Sequence, residues 1–166
     1  MLKREMEDAL NRQINEELYS SYLYLSMSAY FEQQGLSGFS KWMMIQAKEE
    51  LKHAMKIYNY IISQNGVVKL FGLKEPPHTW DSILHAAESA YEHEKYITNK
   101  IHELVNLAQK IDDKATENFL QWFVEEQVEE EKNSYDLLRK VRMVEKHVGA
   151  LLQLDRILSE REDEED

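Results

Sequence analysis

Four stretches of this chain place an apolar residue at every third or fourth position for about 28 to 32 residues, and the breaks between them are unequal. Segment A covers about residues 3–34 and stops at "QGLSG", where Gly35 suits a C-terminal cap and Ser37 can cap the next start. Segment B covers about 38–65 and ends at "NGVV". Segment C covers about 80–110, with Thr79 or Asp81 as its N-cap, and segment D about 113–144. A shorter amphipathic piece, E, spans about 146–159. "GLS" and "IDD" are tight turns, so A with B and C with D form antiparallel hairpins. The B to C connection, "GVVKLFGLKEPPHTW", is about 15 residues long and reaches roughly 50 Å when extended. A helix of 28 residues is about 42 Å long, so the connection can travel the whole bundle and return C parallel to B. The expected fold is all-α: one domain over 1–166, an antiparallel four-helix bundle with one long B–C crossover and a short fifth C-terminal helix.

Composition agrees. Five glycines and two prolines in 166 residues leave few helix breakers, and 43% hydrophobic content is enough for a sizeable core. The absence of cysteine excludes disulfides, thiolate metal sites and iron–sulfur clusters, so any metal must be held by oxygen and nitrogen. A formal charge of −11 argues against nucleic acid and favours cations as partners. Part of the excess is the tail "SEREDEED", and the acidic run 160–166 is expected to fray into solvent. With no apolar leader in "MLKREMEDAL" and no run long enough for a membrane span, the expectation is a soluble cytoplasmic protein.

Segment A is apolar nearly all round, with Tyr19, Tyr22, Leu23, Met27 and Tyr30 lying off the stripe through Tyr24 and Phe31. Segment E likewise offers Val148, Leu151, Leu152, Leu154, Ile157 and Leu158, more than docking on one bundle end requires. Both faces predict a homo-oligomer.

The inward stripes contain residues that do not belong in a core. In B, Glu50 and His53 share the stripe of Met43, Ala47, Ala54, Ile57 and Ile61. Glu17 sits in that of A, Glu94 in that of C, and Glu126, Gln127, Glu130 and Ser134 in that of D. A single carboxylate beside an apolar stripe is more often a solvated flank residue. Here every helix has its intrusion near mid-length, at about one height in an antiparallel bundle. Burying several carboxylates together requires pairing or coordination, and the inward stripes contain no Lys or Arg. A bound metal is the remaining compensator. Carboxylates with one imidazole and one amide suit iron or manganese better than a structural zinc. Glu50 and His53, at i and i+3, project from one helix face, so a bridging carboxylate can hold two metal ions.

In "NEELYSSYLY", "KEELKHAMK", "YEHEKYI" and "FVEEQVEEE" the chain resembles the ferritin family, specifically haem-free bacterial and archaeal ferritins, over essentially its whole length. Di-iron carboxylate bundles of this kind are a known helix-bundle class. The resemblance implies a first iron held by Glu17, Glu50 and His53, and a second by Glu50, Glu94 and Glu130, with Glu50 bridging. It implies Gln127 as a polar neighbour of the metals and Tyr24 as an electron donor beside them. Glu49, Glu126 and Glu129, with Glu130 shared, match a third iron site, although "EEQVEEE" also reads as a solvated acidic face. Segment D has Gln127-x-x-Glu130 where bacterioferritins and rubrerythrins have a second Glu-x-x-His, and Leu51 follows the bridging Glu where bacterioferritins use a haem-ligating Met; no haem is expected. The family's activity would be oxidation of Fe(II) by dioxygen or hydrogen peroxide, with storage of a ferric oxyhydroxide mineral inside a hollow 24-subunit cage. Two readings compete: a small di-iron oxidase or peroxidase that stores no mineral, and a metal-free helical adaptor whose acids are all solvated.

Overall fold

The computed structural model describes residues 1–164. Among these there are five helices and no strand: α1 Arg4–Gln33, α2 Ser37–Ser63, α3 Ile83–Lys110, α4 Lys114–Val144 and α5 Val148–Leu158. The expected all-α architecture is present. None of these helices is long and apolar enough to cross a membrane.

Three helix ends close in the same way. Gly35 (φ 78°), Asn65 (φ 58°) and Asp112 (φ 56°) adopt the left-handed conformation just past α1, α2 and α3. Behind Gly35, the Leu36 N–H donates to Phe31 O at 2.9 Å and the Gly35 N–H to Glu32 O at 3.0 Å, the paired bonds of a Schellman cap. Such a cap reverses the chain within a few residues, which makes α1 and α2, and α3 and α4, antiparallel pairs.

The helix starts differ from expectation. Ser37 is the first residue of α2 and makes no capping bond; the Phe39 N–H is met instead by Asp155 Oδ1 of α5 at 2.9 Å. A helix from elsewhere in the chain thus supplies the oxygen that Ser37 could have offered. For α3 the cap is Ser82, whose Oγ accepts from the His85 N–H at 2.9 Å, rather than Thr79 or Asp81. The helix therefore begins three residues later than the periodicity placed it.

The long connection climbs α1 from one end to the other. Asn11 holds its beginning, donating to Val67 O at 2.9 Å and accepting from the Lys69 N–H at 2.8 Å. Lys74 then lies 5.1 Å from the Tyr19 ring centroid, Ser26 donates to Pro77 O, and the Tyr30 hydroxyl donates to Trp80 O at 3.3 Å. Since α2 runs antiparallel to α1 and the connection runs parallel to it, α3 starts at the far end and runs in the same direction as α2, packed against α1 and α4. This is the crossover required by the connection's length.

That path also corrects one reading of α1. Leu23, Met27 and Tyr30 are buried by their own chain, Tyr30 edge-on against Trp80 at 5.3 Å, so they do not need a second copy to cover them. Tyr22 and Leu25 remain exposed on α1, as do Val148, Leu152 and Ile157 on α5, whose Leu154 and Leu158 dock onto the bundle.

Within the tail, Arg161 lies against α2: its guanidinium is 4.4 Å from the Trp42 ring centroid and its Nη1 donates to Trp42 O. Residues 165 and 166, also in the acidic run, lie outside the described residues.

The apolar core is in two pieces. One surrounds Tyr24, Met27, Phe31, Phe39 and Met43; the other surrounds Leu10, Ile14, Ile57, Ile97 and Phe123. A fully buried side chain of this size contributes about 1.5–3 kcal/mol, so each piece is a substantial source of stability. Between them, at mid-bundle, lies a layer of polar side chains.

Candidate metal centre

The layer is built by one or two residues from each long helix. Glu17 comes from α1, Glu50 and His53 from α2, Glu94 from α3, and Gln127 and Glu130 from α4, and all are at most 3% exposed. Their helical positions make this unavoidable. Each lies a whole number of turns from core residues above and below it, as Glu50 does from Met43 and Ile57.

Within the layer each carboxylate of α1 and α2 has one oxygen held and one free. Gln13 Nε2 donates to Glu17 Oε1 at 3.0 Å, and Gln46 Nε2 donates to Glu50 Oε1 at 3.1 Å, each from one turn earlier on its own helix. The remaining oxygens, Glu17 Oε2 and Glu50 Oε2, have no hydrogen-bond partner, and neither has His53 Nδ1. These three atoms converge: His53 Nδ1 is 3.3 Å from Glu50 Oε2 and 3.9 Å from Glu17 Oε2. Polar atoms buried without partners are rare because each loses its hydration for nothing. Three of them facing one point are donors that a cation could satisfy.

Two further groups of ligand atoms lie within 4.8 Å of one another: Glu50 with Glu94 and Glu130, and His53 with Glu126 and Glu130. Glu50 belongs to the first two groups, as a carboxylate shared by two ions would. Glu94 is held by the Tyr24 hydroxyl, which donates to its Oε1 at 2.5 Å, and by Gln127 Nε2, which lies 3.3 Å from its Oε2. Gln127 also reaches the Glu94 carbonyl at 3.3 Å and Thr98 Oγ1 at 3.2 Å, so its amide anchors α3 to α4. Gln46 makes a second, short bond to Glu130 Oε2.

The electrostatics are those of crowded acids out of water. Burial, then the charge of Glu94, pushes Glu50 well up; Glu130 is raised by the same two causes. Burial raises Glu94 to about 7, against hydrogen bonds from Tyr24 and Gln127 that work the other way. Burial alone would lower His53, but Glu50, Glu126 and Glu17 outweigh it and hold the imidazole well above its usual value. Each of these shifts favours a proton in the layer, for which a divalent cation would compete. Tyr24 is raised by burial and then by Glu94, so its hydroxyl keeps its proton.

The expected third cluster is only half assembled. Glu126 is half-buried and approaches His53 Nε2 at 3.6 Å. Glu129 is exposed and Glu49 is paired with Arg161 at 3.1 Å, so neither joins a ligand group. On this side a cleft of about 480 Å³ opens between α2 and α4, bounded by Glu49, Lys52, His53, Lys56, Trp122 and Glu126. Lys56 caps the Trp122 ring at 3.5 Å, and that ring in turn packs edge-on against His53 at 5.4 Å.

Gln13 and Gln46 were not singled out from sequence. Their signal is a glutamine four residues before an inward glutamate, the spacing at which helical side chains meet.

Comparison with known proteins places the chain in a family. A family model described as a ferritin-like domain matches residues 7–144. The chain is 41% identical over 142 residues to a bacterial non-heme ferritin of Bacteroides fragilis, covering 86% of this chain and 89% of that one. It is 39% identical over 158 residues to a probable bacterial non-heme ferritin-like protein of Haemophilus influenzae, covering 95% and 96%. Among solved structures, an open pore ferritin from the hyperthermophilic archaeon Archaeoglobus fulgidus superposes with a TM-score of 0.96 at 52% identity, over 98% of this chain and 100% of that one. An engineered closed form of the same ferritin gives 0.97 at 51% identity, over 99% and 100%.

Proposed function

This chain belongs to the ferritin-like family, and from that membership we propose that it oxidises Fe(II) at the mid-bundle layer and stores the Fe(III) as an oxyhydroxide mineral inside a closed homo-oligomer. The observation that carries the reading is the convergence of the unpartnered Glu17 Oε2, Glu50 Oε2 and His53 Nδ1.

Iron is the substrate. One Fe(II) would be held by Glu17, Glu50 and His53 and a second by Glu50, Glu94 and Glu130, with Glu50 shared. A third would sit toward Glu126 and Glu130, using Glu49 and Glu129 once those side chains turn inward. Each Fe(II) that becomes Fe(III) gives up one electron, so a pair delivers two to dioxygen or to hydrogen peroxide.

The residues of the chain bind, orient and discharge. Hard oxygen donors with one imidazole favour the higher charge of Fe(III), which assists electron loss. Gln13 and Gln46 hold the distal oxygens of Glu17 and Glu50, so the other oxygens already face the ions. Tyr24, bonded to Glu94 and sealed from solvent, is placed to give an electron and to pass its proton to that carboxylate. The cleft between α2 and α4 leads product to the surface where the acids of α4 collect.

The exposed Tyr22, Leu25, Val148, Leu152 and Ile157 support assembly, for which the family's 24-subunit cage is the model. The test is aerobic loading with many Fe(II) equivalents, followed by gel filtration with light scattering and iron detection. Iron far beyond two per chain on a very large particle is the expected result. About two per chain on a small oligomer, the capacity of one paired site, would favour an oxidase that stores nothing.

A further inference from the structure

The inward stripes contain no Lys or Arg, yet a guanidinium reaches the edge of the metal layer from the end of the chain. Arg161 follows α5 and lies along α2. Its Nη1 donates to Trp42 O at 3.1 Å, and its Nη2 donates to Gln46 Oε1 and to Glu49 Oε2, each at 3.1 Å. Two outer contacts align the segment: Lys48 Nζ with Asp163 Oδ2 at 3.0 Å and Lys52 Nζ with Glu164 O at 2.8 Å.

The bond to Gln46 reaches further than Arg161 itself. An amide that accepts through its oxygen must turn its NH₂ the other way, and the Gln46 NH₂ meets Glu50 Oε1 and Glu130 Oε2. Arg161 and the two carboxylates thus hold the amide from opposite ends, and removing Arg161 leaves the amide oxygen without its donor and the Gln46 side chain less firmly placed. Glu49, meanwhile, faces the same cleft as His53 and Glu126 but spends its carboxylate on the guanidinium. Arg161 therefore does two things: it fixes the carboxylates of the paired site through Gln46, and it keeps Glu49 from any third cation.

We propose that Arg161 is a tethered counter-ion of the metal centre, holding Glu49 until a third divalent cation entering the α2–α4 cleft takes that carboxylate and releases segment 160–164. The proposal rests on the metal-site reading above. The outer contacts permit release, since Lys48 with Asp163 is an exposed ion pair, a kind that contributes little, and Lys52 reaches only the Glu164 carbonyl. In this scheme segment 160–164 swings free only when the third position fills, and Arg161 is a positioning residue that touches no iron.

The experiment uses the full chain and Co(II), which binds such sites without being oxidised by air under mild conditions. Calorimetric titration compares wild type, Arg161→Gln and Arg161→Lys, and hydrogen exchange follows the amides of 160–164 with and without Co(II). The expected result is two tighter ions and a weaker third in wild type, with the third about tenfold tighter in Arg161→Gln, a difference of one decade in Kd. Arg161→Lys, which keeps the charge but loses the fork that spans Trp42, Gln46 and Glu49, falls between the two. Exchange in 160–164 accelerates on loading wild type and is already fast in metal-free Arg161→Gln. A merely structural clamp would change the exchange without moving the third affinity, and that result overturns the proposal while leaving the paired site standing. Absence of Co(II) binding in wild type would overturn both.

Discussion

His53 Nδ1 stands 3.3 Å from Glu50 Oε2, and neither atom has a hydrogen-bond partner in a layer closed to water. The fold thus keeps an imidazole and a carboxylate at ion-pair distance, with the facing atom of each left out of any well-formed hydrogen bond. Replacing Glu50 by Gln removes a charge from the point where Glu17, Glu94 and Glu130 also converge. The metal-free variant is expected to melt above metal-free wild type at pH 8, by about 2–4 °C for each 1 kcal/mol of relieved repulsion. Its affinity for Co(II) or Zn(II) should fall by more than about a hundredfold, beyond the range typical of losing an outer partner of a ligand. Scanning calorimetry and metal titration on one preparation check both; lower melting with unchanged affinity would mean that the layer is structural.

Metal-free stability should depend on pH in one direction. Glu94 titrates near 4.5 when unfolded and is raised by burial to about 7 when folded. Between these values the folded carboxyl keeps a proton that the unfolded one has lost, so stability declines as pH rises through the window. Glu50 and Glu130, also raised chiefly by burial, add to the same slope. His53 is held well above its usual value, so its contribution is complete at low pH and is lost as pH rises through its folded pKa. All four groups agree in sign. Melting temperature of the metal-free chain should fall from pH 5 to pH 8, and saturating Zn(II) should flatten or reverse the trend. A metal-free chain that gained stability over that range would contradict the burial of these acids.

The paired layer was legible in sequence because helical period alone carries it: Glu17, Glu50, Glu94 and Glu130 interrupt four apolar stripes at one height. The crossover was legible because contour length restricts where 15 or so residues can go. What could not be read depends on contacts between segments distant in sequence. Asp155 caps α2 in place of Ser37, Trp80 covers Tyr30, and Arg161 crosses more than a hundred positions to reach Glu49. The run "SEREDEED" reads as a repelling tail only while its lone arginine is averaged with its neighbours. In place, that arginine meets Trp42, Gln46 and Glu49 on successive turns of α2, which composition cannot express.

Tyr24→Phe isolates the hydroxyl, since the ring remains packed in a fully buried position. The lost bond to Glu94 is charge-assisted and its removal costs about 1.5–3 kcal/mol at a pH where the carboxylate is ionised. Fold and metal stoichiometry should persist. Stopped-flow absorbance should show the fast oxidation of the first iron pair largely intact and later equivalents slowed. Identical progress curves in the variant would remove Tyr24 from the redox chemistry and leave it as an anchor for Glu94.

Gly38→Ala tests whether α5 and the metal centre are coupled. A Cβ on Gly38 would stand 1.7 Å from the Asp155 carbonyl oxygen, and backbone cannot yield as a flexible side chain does. Helix α5 must move away, losing the Asp155 cap on Phe39 and part of the burial of Leu154. Overpacking of this kind costs about 1–3 kcal/mol. The paired site lies several turns away along α2 and should keep its affinity for two ions. Arg161 begins three residues beyond the end of α5, so displacement of that helix should loosen its hold on Glu49 as well. Hydrogen exchange should therefore rise in 148–158 and in 160–164 together, and the third Co(II) should bind more tightly, as in Arg161→Gln. Faster exchange in α5 with an unmoved third affinity would show that Arg161 holds its place on α2 without the helix that delivers it.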